Sequence, residues 1–388
     1  MNKYLVEAQN MFDELLTNRH YLHQHAEIMD ELPVTTAYVK EKLTEYGIEW
    51  QEISKCGIVA LIKGEKPGKV VLLRTDMDAL DMTEESGLDF HSVTKYAHCC
   101  GHDIHNTMML GACKILSQHR DEIEGTVKVM FQPGEEYFIG AKAMVAAGVL
   151  ENPHVDAAFD MHVNVTHKVG QLAVFNGPCF ASCDGFKITL TGIGCHGSQP
   201  YQGVDPINAA VHVYMAFQEL VAREVPGYEM VALTIGQISA GNAANIIPKE
   251  CVMQGTLRCY NMEVRAFLMQ RMQELLEGLS NAYRVEYKYE VLSDVPVVCT
   301  STELQEAAKD YCADMDVEFA PLVPLCGSED FGEISQLVPS AYFGLGACPE
   351  DYPAYSLHNP KIRFDERCMP FGVATHVNCA IGYLKNNK

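Results

Sequence analysis

Between Tyr96 and His105 the chain reads Tyr-Ala-His-Cys-Cys-Gly-His-Asp-Ile-His. Three imidazoles, two thiols and a carboxylate stand within ten residues, a density that no packing need explains. Soft and borderline donors in this mixture suit zinc, manganese, cobalt or nickel better than a purely hard cation. Cys100-Gly101-His102 is the core of the signal, because Gly101 permits a tight backbone path that can turn both neighbours toward one point. On pattern alone His98 and Cys99 compete with them. His105 opens an apolar helical run and fits a capping or packing role at least as well as a ligand role.

Other groups could complete such a centre. Glu135-Glu136 follows an apolar strand, 126–131, and a Gln132-Pro133-Gly134 turn. On extended backbone adjacent side chains diverge. One carboxylate could then bind metal while the other faces the substrate water, the division of labour that metal-assisted hydrolysis needs. His162 ends the strand 157–161, where a satisfied core histidine is the ordinary occupant. His358 lies in an irregular Leu-His-Asn-Pro stretch, and nothing local brings it to Cys100. His196 sits in a glycine-rich segment, 192–200, that lacks the lysine and the strand-turn-helix setting of nucleotide loops. It reads as a recognition or transition-state donor, or as a plain turn histidine. Asn245 belongs to a polar loop between strands. Arg258 ends the next strand, where a guanidinium could receive a substrate carboxylate in bidentate fashion or simply face solvent.

The elements that must position these groups follow an α/β pattern. Strands at 57–62, 70–73, 126–131 and 157–161 alternate with helical runs, and three successive strands deliver polar residues at their carboxyl ends, where open α/β sheets bind ligands. Near residue 184 the order changes to strand-helix-strand-strand-helix-strand, which predicts a small α+β, ferredoxin-like domain. After about residue 293 the α/β pattern resumes. The expected organisation is a discontinuous catalytic domain, 1–183 and 293–388, with a mostly parallel central sheet flanked by helices, and an inserted domain over 184–292. A chain of 388 residues accords with two domains. Its net charge of −22 argues against nucleic acid and anionic membrane as partners. No apolar run approaches membrane-spanning length, and no leader pattern opens the chain. The fifteen cysteines, scattered through apolar segments, read as free thiols of a cytoplasmic protein.

Taken together, Arg74-Thr-Asp-Met-Asp-Ala-Leu80, His98-Cys-Cys-Gly-His-Asp103, Phe131-Gln-Pro-Gly-Glu-Glu136, Met161-His162, Gly241 through Pro248, Gly255-Thr-Leu-Arg258, Glu329-Asp-Phe331 and Leu357-His-Asn-Pro360 resemble, in order and over nearly the whole chain, the M20 metallopeptidase family in its amidohydrolase branch. The resemblance implies two divalent ions (manganese, zinc, cobalt or nickel) bound by Cys100, His102, Glu136, His162 and His358. It implies Glu135 as general base and acid, with Asp78 supporting a ligand histidine. His196 would steady the developing oxyanion across a homodimer or higher homo-oligomer, with Asn245 and Arg258 recognising substrate. The inserted domain would be the dimerisation lid. The substrate would be a small N-acyl amino acid of acetyl or benzoyl type, with dipeptidase or carboxypeptidase action as the alternative. Where the branch usually has alanine, this chain has Cys99. Asp76 stands where other branches place a ligand histidine.

Overall fold

A computed structural model describes residues 2–321 and 324–387, which fall into two compact units. The first comprises Met1–Gly177, Cys299–Val323 and Glu333–Lys388, and the second Pro178–Val298 and Pro324–Gly332. In chain order the strands of the two main sheets are β1 (Glu49–Ser54), β2 (Gly57–Lys63), β3 (Lys66–Asp76), β4 (Glu124–Gln132), β5 (Ala157–Asn164), β6 (Gln171–Val174), β7 (Cys183–Thr191), β8 (Val231–Ala240), β9 (Glu250–Cys259), β10 (Glu286–Val295), β11 (Glu318–Pro321) and β12 (Ser340–Gly346).

In the first unit eight strands form one mixed sheet in the order β1-β2-β4-β3-β5-β12-β6-β11. Its centre, β4-β3-β5-β12, is parallel throughout. Parallel strands need crossovers, and the crossover helices bury both sheet faces. The central strands therefore read as mostly apolar runs, with Val70 to Leu73 and Val127 to Phe131 buried; the one charge among them, Lys128, donates to the carbonyls of Val149, Glu151 and Pro153. Edge strand β1, Glu-Trp-Gln-Glu-Ile-Ser, is exposed over its first four residues. The His102–Gln118 helix packs on β3 and against the Phe12–Gln24 and Met369–Asn386 helices. It is buried without a break from His102 to Cys113, which explains its nearly continuous apolar sequence after Asn106.

One irregularity in this sheet positions the chemistry. The β3–β5 ladder stops at Leu73 opposite Phe159. Beyond it β3 continues along β4 to Asp76 opposite Gln132, while β5 continues along β12 to Asn164 opposite Gly346. The two central strands part near their carboxyl ends, on the same edge of the sheet. Polar side chains occupy the gap: Arg74 donates to Asp76 at 2.9 Å and to Asp160 at 3.0 Å.

The second unit holds an antiparallel sheet, β8-β9-β7-β10. With the helices Pro206–Glu224 and Met262–Tyr283 it has the βαββαβ order of a ferredoxin-like fold. Phe186, Ile188, Leu190, Val213, Phe217, Leu257 and Leu268 form its core. Both helices start on side-chain caps: Asp205 accepts from Ile207 N–H, and Asn261 from Glu263 N–H. Among the described residues no helix is long and apolar enough to cross a membrane.

Candidate metal centre

Gly101 has φ +98°, a left-handed conformation that glycine adopts at little cost. A Cβ there would stand 2.4 Å from Val163 Cγ2. Glycine is thus required between Cys100 and His102, and its turn starts the helix while sending both flanking side chains to one place. Cys100 Sγ lies 3.3 Å from His162 Nε2. The other ring nitrogen of His162 stands 2.6 Å from the Val163 carbonyl, so Nδ1 carries the proton and Nε2 keeps its lone pair toward Cys100.

The strand-end turns bring the carboxylates. Asp78 is fully buried, and its two oxygens accept the backbone N–H groups of Glu135 at 2.9 Å and Glu136 at 3.2 Å. Its Oδ1 also lies 3.5 Å from His102 Nδ1. The sequence places Glu135 and Glu136 on extended backbone with diverging side chains. They lie instead in the turn 135–138, and both reach His102 Nε2, at 3.9 and 3.8 Å. The Asp78 clamp and Gly134, at φ +65°, fold the segment this way. Glu136 Oε1 is also 3.3 Å from His358 Nε2. His358 arrives because its own N–H donates to the Cys99 carbonyl at 3.0 Å.

Within the first unit the donor atoms form overlapping groups, all less than 4.8 Å apart: Cys100, His102 and His162; Cys100, Glu136 and His358; His102, Glu135 and Glu136; Asp76, His102 and His105. Cys100 joins the first two of these groups, an arrangement suited to two divalent ions. Among the described residues, both ring nitrogens of His102 and Glu136 Oε1 are buried without a hydrogen-bond partner, a costly state that cation binding relieves. Electrostatics agrees. Burial opposes a charge on His102, yet Asp76, Asp78 and Glu136 raise its pKa to about 10. An acidic cluster that keeps a buried imidazole protonated is short of positive charge. Burial, together with Glu136, Glu135 and Asp76, pushes the Cys100 thiol well above its ordinary value. Burial and the neighbouring His105 hold His162 neutral, its pKa well below the usual range.

Of the neighbours left open by the sequence, His98 is outside the donor groups among the described residues: it is buried with neither ring nitrogen hydrogen-bonded, and burial lowers its pKa to about 4. Cys99 packs in the core of the first unit, where burial pushes its thiol up to about 12. Asp103 Oδ2 accepts from Arg19 Nε at 3.2 Å and lies 2.8 Å from His23 Nδ1, whose Nε2 is 3.2 Å from Glu84. Asp76 Oδ1 holds His105 Nδ1 at 2.7 Å. Burial works against its charge, but His102, His105 and Arg74 outweigh it and keep its carboxyl well below the usual range. Asp76 and His105, which the sequence reading does not assign as ligands, join a donor group with His102.

His196, Asn245 and Arg258 belong to the second unit. There His196 pairs with Ile246 in a short antiparallel ladder, and the Asn245 carbonyl accepts from Gly197 N–H at 2.7 Å. His196 Nδ1 stands 2.8 Å from Ser198 Oγ. Arg258 is hydrogen-bonded to Ser328.

The family model described as Peptidase family M20/M25/M40 matches residues 72–381. The N-acetyl-L-cysteine deacetylase of Bacillus subtilis is 31% identical over 93% of this chain and 86% of its own length. Thermostable carboxypeptidase 2 of Saccharolobus solfataricus is 32% identical over 97% of both chains. Among solved structures, a putative aminohydrolase from methicillin-resistant Staphylococcus aureus superposes with a TM-score of 0.94 at 31% identity, covering 99% of this chain and 100% of that one. A dinuclear metal-binding M20 peptidase from Bacillus subtilis superposes at 0.83 and 29% identity, over 97% and 99%. With its paired donor clusters and a match this extensive, the chain belongs to peptidase family M20/M25/M40, as a metal-dependent hydrolase of the amidohydrolase branch.

Proposed function

We propose that this enzyme hydrolyses the amide bond of N-acyl amino acids carrying a small acyl group, acetyl or benzoyl in type, to a carboxylic acid and a free amino acid. The observation that carries the reading is Glu135: a buried carboxylate, clamped through its own N–H by Asp78, beside a cluster in which Glu136 and not Glu135 groups with Cys100 and His358. Cys100, His102, Glu136, His162 and His358 would hold the two ions. When bound, the ions would polarise the amide carbonyl and acidify the attacking water.

The protein's own groups do the rest. Glu135 takes the proton of the attacking water and returns it to the departing nitrogen, a transfer worth roughly 10²–10⁴ in rate. Asp78 orients His102 and fixes the turn from which both glutamates project. By family likeness His196, supplied by the partner in a homodimer, steadies the oxyanion, and Asn245 and Arg258 receive the amino-acid part. Dimerisation through the inserted unit is supported by an apolar face that the unit leaves exposed: Ile207, Val211 and Met215 along one side of the Pro206–Glu224 helix and Ile238 on edge strand β8. Fifteen free cysteines support a reducing, cytoplasmic setting.

Amine release from a panel of N-acetyl amino acids, N-benzoyl amino acids and dipeptides tests the reading, run separately with manganese, zinc, cobalt and nickel. The expected result is turnover of acylated amino acids well above that of dipeptides. The reverse order would replace this reading with a peptidase one, which the similarity to carboxypeptidases from Saccharolobus solfataricus favours.

A further inference from the structure

The gap between β3 and β5 leaves β5 without a strand partner on one side after Phe159. Its next inward N–H groups must therefore bond elsewhere. Met161 N–H donates to Asp160 Oδ1 at 2.8 Å. Val163 N–H donates to His105 Nε2 at 2.9 Å. This bond fixes the state of His105. A backbone N–H can only donate, so Nε2 carries a lone pair, and the proton of the ring sits on Nδ1, 2.7 Å from Asp76 Oδ1. Arg74 Nη1 in turn donates to Asp76 Oδ2 at 2.9 Å, and Arg74 Nε to Gln132 Oε1 at 2.9 Å.

The same residue, Val163, engages His162 through its other backbone group, since its carbonyl takes the His162 Nδ1 proton. Both polar groups of one residue are thus spoken for by two imidazoles. The His105 ring also stands edge-on to the His162 ring, with centroids 4.5 Å apart, and lies 5.5 Å from the ring of His102. All of Arg74, Asp76 and His105 are buried, so no water competes for these bonds.

We propose that Asp76 and His105 form a positioning pair for His162. Acting through the Val163 backbone, they set the tautomer and direction of an imidazole that has no carboxylate partner of its own among the described residues. Imidazoles that bind metal usually donate the distal N–H directly to an oriented acceptor. Here the acceptor is a main-chain carbonyl on a strand that keeps its β12 ladder but has lost its β3 partner, and the pair occupies the side that the lost ladder leaves open. Neither residue has a free nitrogen or oxygen role comparable to that of His102: both nitrogens of His105 are occupied within the protein, which removes it from the ligand set even though it lies in a donor group. The inference rests on the reading of His162 as a ligand.

Cobalt(II) titration of the metal-free protein tests it, read by thiolate-to-cobalt absorption, by the ligand-field band and by competition with a chromophoric chelator. His105→Phe keeps the ring volume and removes both bonds. His105→Gln reaches Val163 N–H with its side-chain oxygen and restores one. The expected result is a roughly 10–100-fold loss of affinity for one of two ions in His105→Phe, an altered ligand-field band, and partial recovery in His105→Gln. Asp76→Asn, which changes volume little, is expected to weaken the same ion. Unchanged affinity and an unchanged band in folded His105→Phe would overturn the proposal. Should that variant not fold, equal affinity for both ions in His105→Gln, Asp76→Asn and wild type would do so. If wild type shows no thiolate-to-cobalt absorption, or if His162→Ala leaves the titration unchanged, the ligand reading itself fails, a different result from the loss of the positioning pair.

Discussion

The backbone carbonyl of Cys99 accepts the N–H of His358, at 3.0 Å, across more than 250 residues of sequence. Main chain, not a thiol, thus brings the last imidazole to the cluster, although His358 must take φ +65° where it donates that bond. The two adjacent cysteines differ in kind: one supplies a carbonyl and a buried apolar sulfur, the other a sulfur directed at His162. Cys99→Ala should therefore keep the full metal content and lose only roughly 1–2 kcal/mol of stability. Cys100→Ala should bind less metal. Elemental analysis of dialysed protein with urea denaturation distinguishes them, and a metal-poor Cys99→Ala would contradict this division.

Glu135→Gln preserves the shape of the side chain and the N–H held by Asp78 while removing the proposed base. Turnover of the best substrate should fall by roughly 10²–10⁴, with the metal content unaltered. Steady-state kinetics beside metal analysis checks both halves. Near-normal kcat would assign the proton transfer to another group.

Metal uptake should release protons. In the metal-free protein the His102 pKa is raised to about 10, and that of Cys100 lies well above its ordinary value, so both hold a proton at neutral pH. Each must lose it to bind a cation, giving about two protons per chain when both ligate. The apparent affinity then rises as pH rises. Zinc added to weakly buffered protein with an indicator dye measures the release directly. Binding without acidification would mean that at least one of these residues is not a ligand.

The Arg19–Asp103–His23 network gives the stability of the first unit a pH dependence separate from the metal. Burial disfavours a charged His23, but Asp103 and Glu84 more than compensate and raise its pKa. A histidine that holds its proton more tightly when folded contributes fully below the unfolded value of about 6.5, and that contribution fades as pH climbs through the raised folded value. His23→Gln should thus cost more stability at pH 5.5 than at pH 9. Thermal denaturation of metal-free wild type and variant across that range gives the difference. A gap that widens toward alkaline pH would invert the assignment.

Much of the fold was legible because strand ends in an α/β sheet share one edge. Asp76, Glu135 and His162 follow apolar runs, and their convergence is a consequence of the parallel pairing of β3, β4 and β5. The βαββαβ order of the second unit could likewise be counted from strand and helix periods. What could not be read was set by contacts that sequence spacing does not encode. The joint approach of Glu135 and Glu136 to His102 depends on a clamp from Asp78, more than fifty residues away. The occupation of His105 depends on a ladder that ends early, and ladder ends leave no compositional mark.

The parting of β3 and β5 also bears on how this chain can change length. Successive side chains along a strand point to opposite faces. One residue inserted between Ala157 and His162 would therefore swing the imidazole to the wrong side of the sheet, with Met161 or Val163 facing Cys100. Compensation would require an equal shift in Ser340–Gly346, its neighbour along the whole segment. Natural variants of this protein should accordingly gain or lose residues in surface turns and almost never within these two strands.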